Sequence, residues 1–265
     1  GYNAETRTIN FGATTIGGQT KHTVLIGGPC SVESEEQIES AAHLLKSLGL
    51  HTLRGGAYKP RTSPYSFQGM GLDGLKLLAK MRERHGLTVI TEARDATHID
   101  EIIEHTDIIQ VGAKAMYDQG ILRACAKIKK PVLIKRGFGT TLQEFVQAAE
   151  FVLAGGNENV ILCERGIRTF ETGTRFTLDL CGVAWLQEYT NLPIILDRTP
   201  AAVLNLQGAE KQINTSKSAI QSAIDTIKRK TAEVKNVVDS MVAKTATLRN
   251  SIESKREVTQ DLKKK

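Results

Sequence analysis

Aromatic residues are scarce in this chain, at 5% of the sequence with a single Trp, and none occurs after Tyr189. Glycine and proline fade in the same region: only Gly208 follows residue 205, and the last proline is Pro200. No His occurs after His105. Nowhere is there an apolar run of about 18 residues, so no membrane span is predicted. The four cysteines (Cys30, Cys125, Cys163 and Cys181) show no CxxC spacing. That suits reduced thiols, so a cytoplasmic setting is expected. Residues 1–12, GYNAETRTINFG, have neither the basic start nor the apolar core of a signal peptide.

These absences divide the 265 residues into two kinds of polypeptide. Residues 1–205 hold 22 basic and 22 acidic side chains, whereas residues 206–265 hold 13 and 7 and supply the whole net charge of +6. The boundaries read from this are a hairpin over 1–22, a partial (β/α) barrel over 23–200 and a helical tail over 206–265.

In the first part short apolar runs alternate with helical patterns. VLIGGP, HTLRGG, LTVITEA, DIIQVGA, PVLIKRG, NVILCERG and LPIILD read as strands buried on both faces, as in a parallel sheet. The intervening SEEQIESAAHLLKSLG has Ser34 and Gln37 at capping-box spacing and Gly49 at a C-cap. Repeated strand–helix units imply an α/β fold. Polar residues follow most of the strands, among them Cys30, Arg54, Glu92, Lys114, Lys135, Arg136, Glu164 and Arg165. This fits a TIM (β/α) barrel, whose site is assembled from many strand ends, better than a doubly wound sheet.

If the barrel forms, Arg54, Lys59, Arg61, Lys114, Lys135 and Arg165 share one mouth, too many cations for Glu92 and Glu164 to neutralise. Small molecules bearing phosphate and carboxylate groups are the economical ligands. A Schiff-base lysine at Lys135 is a further barrel chemistry, although Arg136 and the KPRT motif favour Lys135 as an anion holder.

The tail has a seam at alternating steps of four and three from Ile213 to Leu262, apolar at ten of fifteen positions. The seam reads as one long helix in a coiled coil or hairpin bundle, serving homo-oligomerisation or partner binding, with a helix folded back on the body as the other reading. No aromatic or base-reading motif supports nucleic acid as a partner.

GGPCSVES, LRGGAYKPRTSPYSFQGMG, TVITEA, DIIQVGA, PVLIKRGF and GNENVILCERGIRTFETGTRFTLDL resemble the 3-deoxy-D-arabino-heptulosonate 7-phosphate (DAHP) synthase family. The likeness is to its compact form, related to 3-deoxy-octulosonate 8-phosphate synthase, and runs from about residue 5 to Asp197. It implies a TIM barrel that condenses phosphoenolpyruvate with erythrose 4-phosphate, a transferase of the shikimate route to aromatic amino acids, with a divalent metal. It further implies that Arg54, Lys59 and Lys135 hold the phosphoenolpyruvate carboxylate, and that Arg165, Ala113 and Lys114 hold its phosphate. Arg61 and Thr62 would bind erythrose 4-phosphate, Glu92 would orient water or a proton-transfer group, and Cys30 would be a metal ligand. Lys59, Lys135 and Glu92 are the expected catalytic set.

Two departures stand out. Lys114 replaces the family's usual Arg, exchanging a bidentate fork for a point charge. After LPIILD the chain reads RTPAAVLNLQG where the family continues with a metal-binding His, an eighth strand and further ligands. The barrel is therefore expected to lack its usual last strand, with two unpaired sheet edges, and the metal site is expected to be incomplete. A second functional reading is a chimera or truncated homologue that binds phosphate ligands and oligomerises without turnover.

Overall fold

The computed structural model describes residues 5–12, 14–59, 61, 63–170, 176–197 and 206–264, with side chains in α7 described at 218, 221–222 and 224–252. The chain divides into two units, Gly1–Val203 and Leu204–Lys265.

The first unit opens with an antiparallel hairpin, β1 (Ile9–Phe11) and β2 (Thr14–Ile16), with Ile9 opposite Ile16 and Phe11 opposite Thr14. Seven parallel strands follow: β3 (Ile26–Gly27), β4 (Thr52–Arg54), β5 (Thr88–Ala93), β6 (Ile108–Val111), β7 (Val132–Lys135), β8 (Val160–Glu164) and β9 (Ile194–Leu196). Each of the seven apolar runs contributes one of them. They lie in sequence order, each paired in parallel with the next. A doubly wound sheet would reverse direction partway, so this order is that of a barrel wall. Helices α1 (Glu35–Ser47), α2 (Leu72–His85), α3 (Ile99–His105), α4 (Gln119–Ala126), α5 (Leu142–Ala154) and α6 (Leu180–Tyr189) connect the strands.

Strand alternation sorts the side chains into two cores. Outward residues such as Leu53, Val89, Val111 and Val132 pack with Ile38, Leu78, Ile102 and Phe145 of the helices. Inward residues Ile90, Ile108, Leu133, Ile161 and Cys163 form a second core around Ile9 and Phe11 of the hairpin. Ile26 of β3 and Ile195 of β9 both reach this inner core, so the sheet curls round the hairpin. The hydroxyl of Thr88, the first residue of β5, donates to the Phe11 carbonyl at 3.4 Å, and Arg7 N–H donates to the Asn191 carbonyl at 2.7 Å. The hairpin therefore closes the N-terminal end and leaves the C-terminal end of the strands open.

Among the described residues β3 and β9 each pair on one side only, so the sheet is a TIM-like barrel lacking a strand. Apolar surface is exposed beside the β9 edge: Leu196 of β9 is 49% exposed and Tyr189 of α6 is 61% exposed.

Local signals act much as the sequence indicates. Ser34 caps α1 by accepting from Gln37 N–H at 3.1 Å, and Gly49 (φ 68°) follows its C-terminus. The Gln37 side chain, however, reaches the N–H of Glu33 at 2.9 Å rather than that of Ser34. The reciprocal capping box occurs at α5, between Thr141 and Glu144. The second unit is α7 (Leu206–Lys264), a 59-residue helix in which no proline removes a backbone donor.

Candidate active site

The same alternation that builds the inner core places charge in the mouth. Two residues beyond Ile90, Ile108, Leu133 and Ile195 lie Glu92, Gln110, Lys135 and Asp197, on the same face and nearer the open end.

Arg54, the last residue of β4, is the hub. Its Nη2 donates to Glu92 Oε2 at 3.0 Å and its Nε to Gln110 Oε1 at 3.1 Å. Its Nη1 donates to the Cys30 carbonyl at 2.9 Å. Lys59 joins from the following loop: its Nζ donates to the Cys30 carbonyl at 2.9 Å, lies 3.4 Å from Cys30 Sγ and is 3.7 Å from Glu92 Oε2. The Lys59 side chain is 7% exposed, so its charge is desolvated and depends on Glu92 as counter-ion.

Backbone contacts hold that loop in place. Lys59 N–H donates to the Gln68 carbonyl at 2.9 Å, Tyr58 bridges Gly69, and Ala57 N–H donates to Thr91 Oγ1 of β5 at 3.2 Å. Gly56 is required by close approach, since a Cβ there would stand 2.7 Å from the Cys30 carbonyl and 2.9 Å from Lys59 Cδ. Gly112 gives Glu92 the same room: a Cβ would stand 2.2 Å from Glu92 Oε1. The Tyr58 hydroxyl donates to Glu101 at 2.6 Å, and burial together with that carboxylate pushes its pKa to about 12.

The other expected residues are distributed around this hub. Lys135, at the end of β7, is paired with Asp197, just past β9. The Arg165 guanidinium lies 4.7 Å and 4.2 Å from the ring centroids of Phe138 and Phe176, as cation–π contacts. Ala113 is half-buried and Lys114 exposed, just past β6. Arg61 is also exposed, its Nε donating to the Phe67 carbonyl at 3.4 Å. Thr62 lies outside the described residues.

One expectation is corrected. Glu164 does not neutralise the mouth cations: it is fully buried on the outward face of β8 and accepts from Arg136 Nη1 at 2.9 Å. Arg136, likewise outward, is also held by Asp179 at 2.8 Å and by the Thr140 carbonyl. Lys135 and Arg136 are adjacent in sequence, yet alternation sends one to the mouth and the other to structural use. Sequence reasoning missed Gln110 and Asp197, although a Gln inside DIIQVGA and the Asp closing LPIILD were the available signals.

Cys30 is exposed. Partial burial raises its pKa, but the charges of Lys59 and Arg54 and the Lys59 hydrogen bond outweigh that, and the thiol sits below its ordinary value. Burial pushes Cys125 and Cys163 up to about 12. Iodoacetamide is therefore expected to modify Cys30 and spare those two. The apparent pKa of that alkylation, read by mass spectrometry over a pH series, is expected to rise in the Lys59→Gln variant.

A divalent metal is not matched by the described residues, among which no group of three His, Cys, Asp or Glu converges. The Lys59 ammonium stands 3.4 Å from the Cys30 sulfur, and it and the Arg54 guanidinium act on the thiol more strongly than the Glu92 carboxylate does, a balance that opposes a cation at the sulfur. No chemical step is assigned to a metal.

Comparison with known proteins decides the lineage: the sequence model of the DAHP synthetase I family matches residues 5–263. The chain belongs to this family. The phospho-2-dehydro-3-deoxyheptonate aldolase of Thermotoga maritima is 45% identical over 196 residues, covering 74% of this chain and 57% of that protein. The 2-dehydro-3-deoxyphosphooctonate aldolase of Magnetococcus marinus is 31% identical over 219 residues, covering 78% and 75%. The crystal structure of the Thermotoga DAHP synthase superposes with a TM-score of 0.69 at 44% identity, covering 73% of this chain and 55% of that one. This DAHP synthetase I member thus spans little more than half the length of its Thermotoga relative.

Proposed function

We propose that the chain condenses phosphoenolpyruvate with erythrose 4-phosphate and releases phosphate, entering the shikimate route. The observation that carries this reading is the convergence of Arg54 and Lys59 with Glu92 and Gln110 at the open end of the strands. An incoming carboxylate takes over from Glu92 as partner of the two cations, with Lys135 contributing from β7. Arg165 and Lys114 hold the phosphate ester, and Arg61 with Thr62 holds the phosphate of the second substrate. Placing two like-charged esters side by side is the main work of the site.

In the reaction C3 of the enol forms a bond to the aldehyde carbon, whose oxygen takes a proton. Water adds at C2 of the former phosphoenolpyruvate. The C2–O bond to phosphate then breaks, leaving a ketone and inorganic phosphate. Glu92 orients the cations and a water molecule. The seam of α7 is a coiled-coil strand, and the scattered free cysteines support a cytoplasmic setting.

Calorimetric titration with phosphoenolpyruvate, and phosphate release on adding erythrose 4-phosphate with and without divalent metal, test this reading. Binding followed by aldehyde-dependent release is expected, and absence of phosphoenolpyruvate binding refutes it. Arg61→Ala is expected to raise the KM for erythrose 4-phosphate by about tenfold or more, the loss of a charged hydrogen bond. Phosphoenolpyruvate affinity should be unchanged in the same variant.

A further inference from the structure

Among the described residues, α7 carries a long exposed apolar stripe. Over 224–252 every a position of the heptad repeat is β-branched (Ile224, Thr231, Val238, Thr245 and Ile252), and the d positions hold Ile227, Val234, Met241 and Leu248. Ile227, Met241 and Leu248 are 65%, 64% and 64% exposed. The Thr245 hydroxyl donates to the Met241 carbonyl at 2.8 Å, so its polar atom is satisfied within the helix. β-branched residues at a favour two strands where Leu fills d, as at Leu248, whereas β-branched Ile227 and Val234 at d favour higher order, so the seam specifies coiled-coil pairing but not the number of strands.

The flanks of the stripe carry one sign of charge. Positions e and g hold Lys228, Lys230, Lys235, Lys244 and Arg249 and no acid, while Asp225, Glu233 and Asp239 fall at b and c. Two parallel copies would set Lys230 against Lys235 and Lys244 against Arg249. An antiparallel pair matches e with e and g with g, again like with like. A membrane surface fits less well. A straight helix drifts about 20° per heptad from a 3.5-residue repeat, so a seam strict over four heptads follows a supercoiling partner rather than a plane. The stretch also lacks the aromatic residues that seat interfacial helices.

We infer that α7 docks, as one strand of a coiled coil, a heptad-patterned helix of another protein whose e and g positions are acidic. The like charges on its own flanks favour this occupant over a second copy of the chain.

The test mixes the full chain with synthetic helices sharing an Ile/Leu seam, one with Glu and one with Lys at every e and g position. A third peptide keeps the Glu residues but has Ser along the seam. Fluorescence anisotropy reads affinity and sedimentation reads stoichiometry. The Glu helix is expected to bind about tenfold or more tighter than the Lys helix, the sum of several flank pairs. That preference shrinks between about 0.1 M and about 1 M salt, where the Debye length falls from about 10 Å to about 3 Å. Combined reversal by Lys230→Glu, Lys235→Glu, Lys244→Glu and Arg249→Glu is expected to switch preference to the Lys helix, with circular dichroism checking that α7 persists. Equal binding of the Glu and Lys helices overturns the inference, as does binding of neither or equal binding of the Ser-seam peptide. It is also overturned by a peptide-free dimer that Val238→Asp dissociates, or by anionic vesicles displacing the Glu helix.

Discussion

Arg54→Ala is expected to weaken phosphoenolpyruvate binding by at least about a hundredfold, roughly 3 kcal/mol, since it removes a charged, bidentate-capable donor from a desolvated site. The damage extends beyond one contact. Gln110 Oε1 loses the donor that now approaches it at 3.1 Å, and Gln110 is 2% exposed, so water does not readily replace it. Among the described residues the ion-pair partner that remains to Glu92 is Lys59, 3.7 Å away. The Cys30 carbonyl keeps only the Lys59 ammonium of its two cationic donors. Arg54→Lys should recover part of the affinity, because one ammonium cannot span Glu92, Gln110 and the Cys30 carbonyl together. Titration calorimetry with phosphoenolpyruvate ranks wild type above Arg54→Lys above Arg54→Ala. Equal affinity for all three would remove Arg54 from the site.

The wall of the barrel was legible because its strands are buried on both faces and so read as apolar runs, each closed by glycine or a charged residue. The edge at β9 was legible as well, since LPIILD is followed by no further run of that kind. Less legible was the division of charge at the strand ends. KRG and CERG present adjacent polar residues, and a count of cations treats them alike. The pleat does not: with Leu133 inward, Lys135 is inward and Arg136 outward, and with Ile161 inward, Glu164 is outward. Following alternation from the inner apolar residues would have separated the site from its supports. It would also have picked out Gln110, two residues beyond Ile108. The pairing of Lys135 with Asp197 spans 62 residues of sequence, and only the closeness of β7 and β9 around the curl reveals it.

Arg136→Met is expected to be among the most destabilising single changes in the first unit while sparing the mouth. Arg136 is 4% exposed and Glu164 fully buried, and removing the guanidinium leaves the Glu164 carboxylate without its cationic partner, with the N–H groups of Gly166 at 2.6 Å and Asp179 at 3.5 Å still donating to it. Breaking a buried pair from one side costs about 3–5 kcal/mol, which for a body of this size lowers the thermal midpoint by roughly 10 °C. Glu164→Leu combined with Arg136→Met should recover much of that loss, because a well-packed apolar pair avoids the cost of desolvating two ions. Asp179 adds a pH signature. The hydrogen bond from Arg136 is the largest influence on its carboxyl and, with the Gly182 N–H, outweighs burial and lowers its pKa. A carboxylate with a lowered folded-state pKa stabilises the fold above the unfolded value of about 3.9 and loses that contribution as pH falls through the folded value. The wild type is therefore expected to lose stability below about pH 4 through this group, and Arg136→Met to show a shallower loss there. Thermal melts of the wild type, single and double variants from neutral pH down to about pH 3 read all of these effects. A single variant as stable as the wild type would show that Glu164 draws its support from elsewhere.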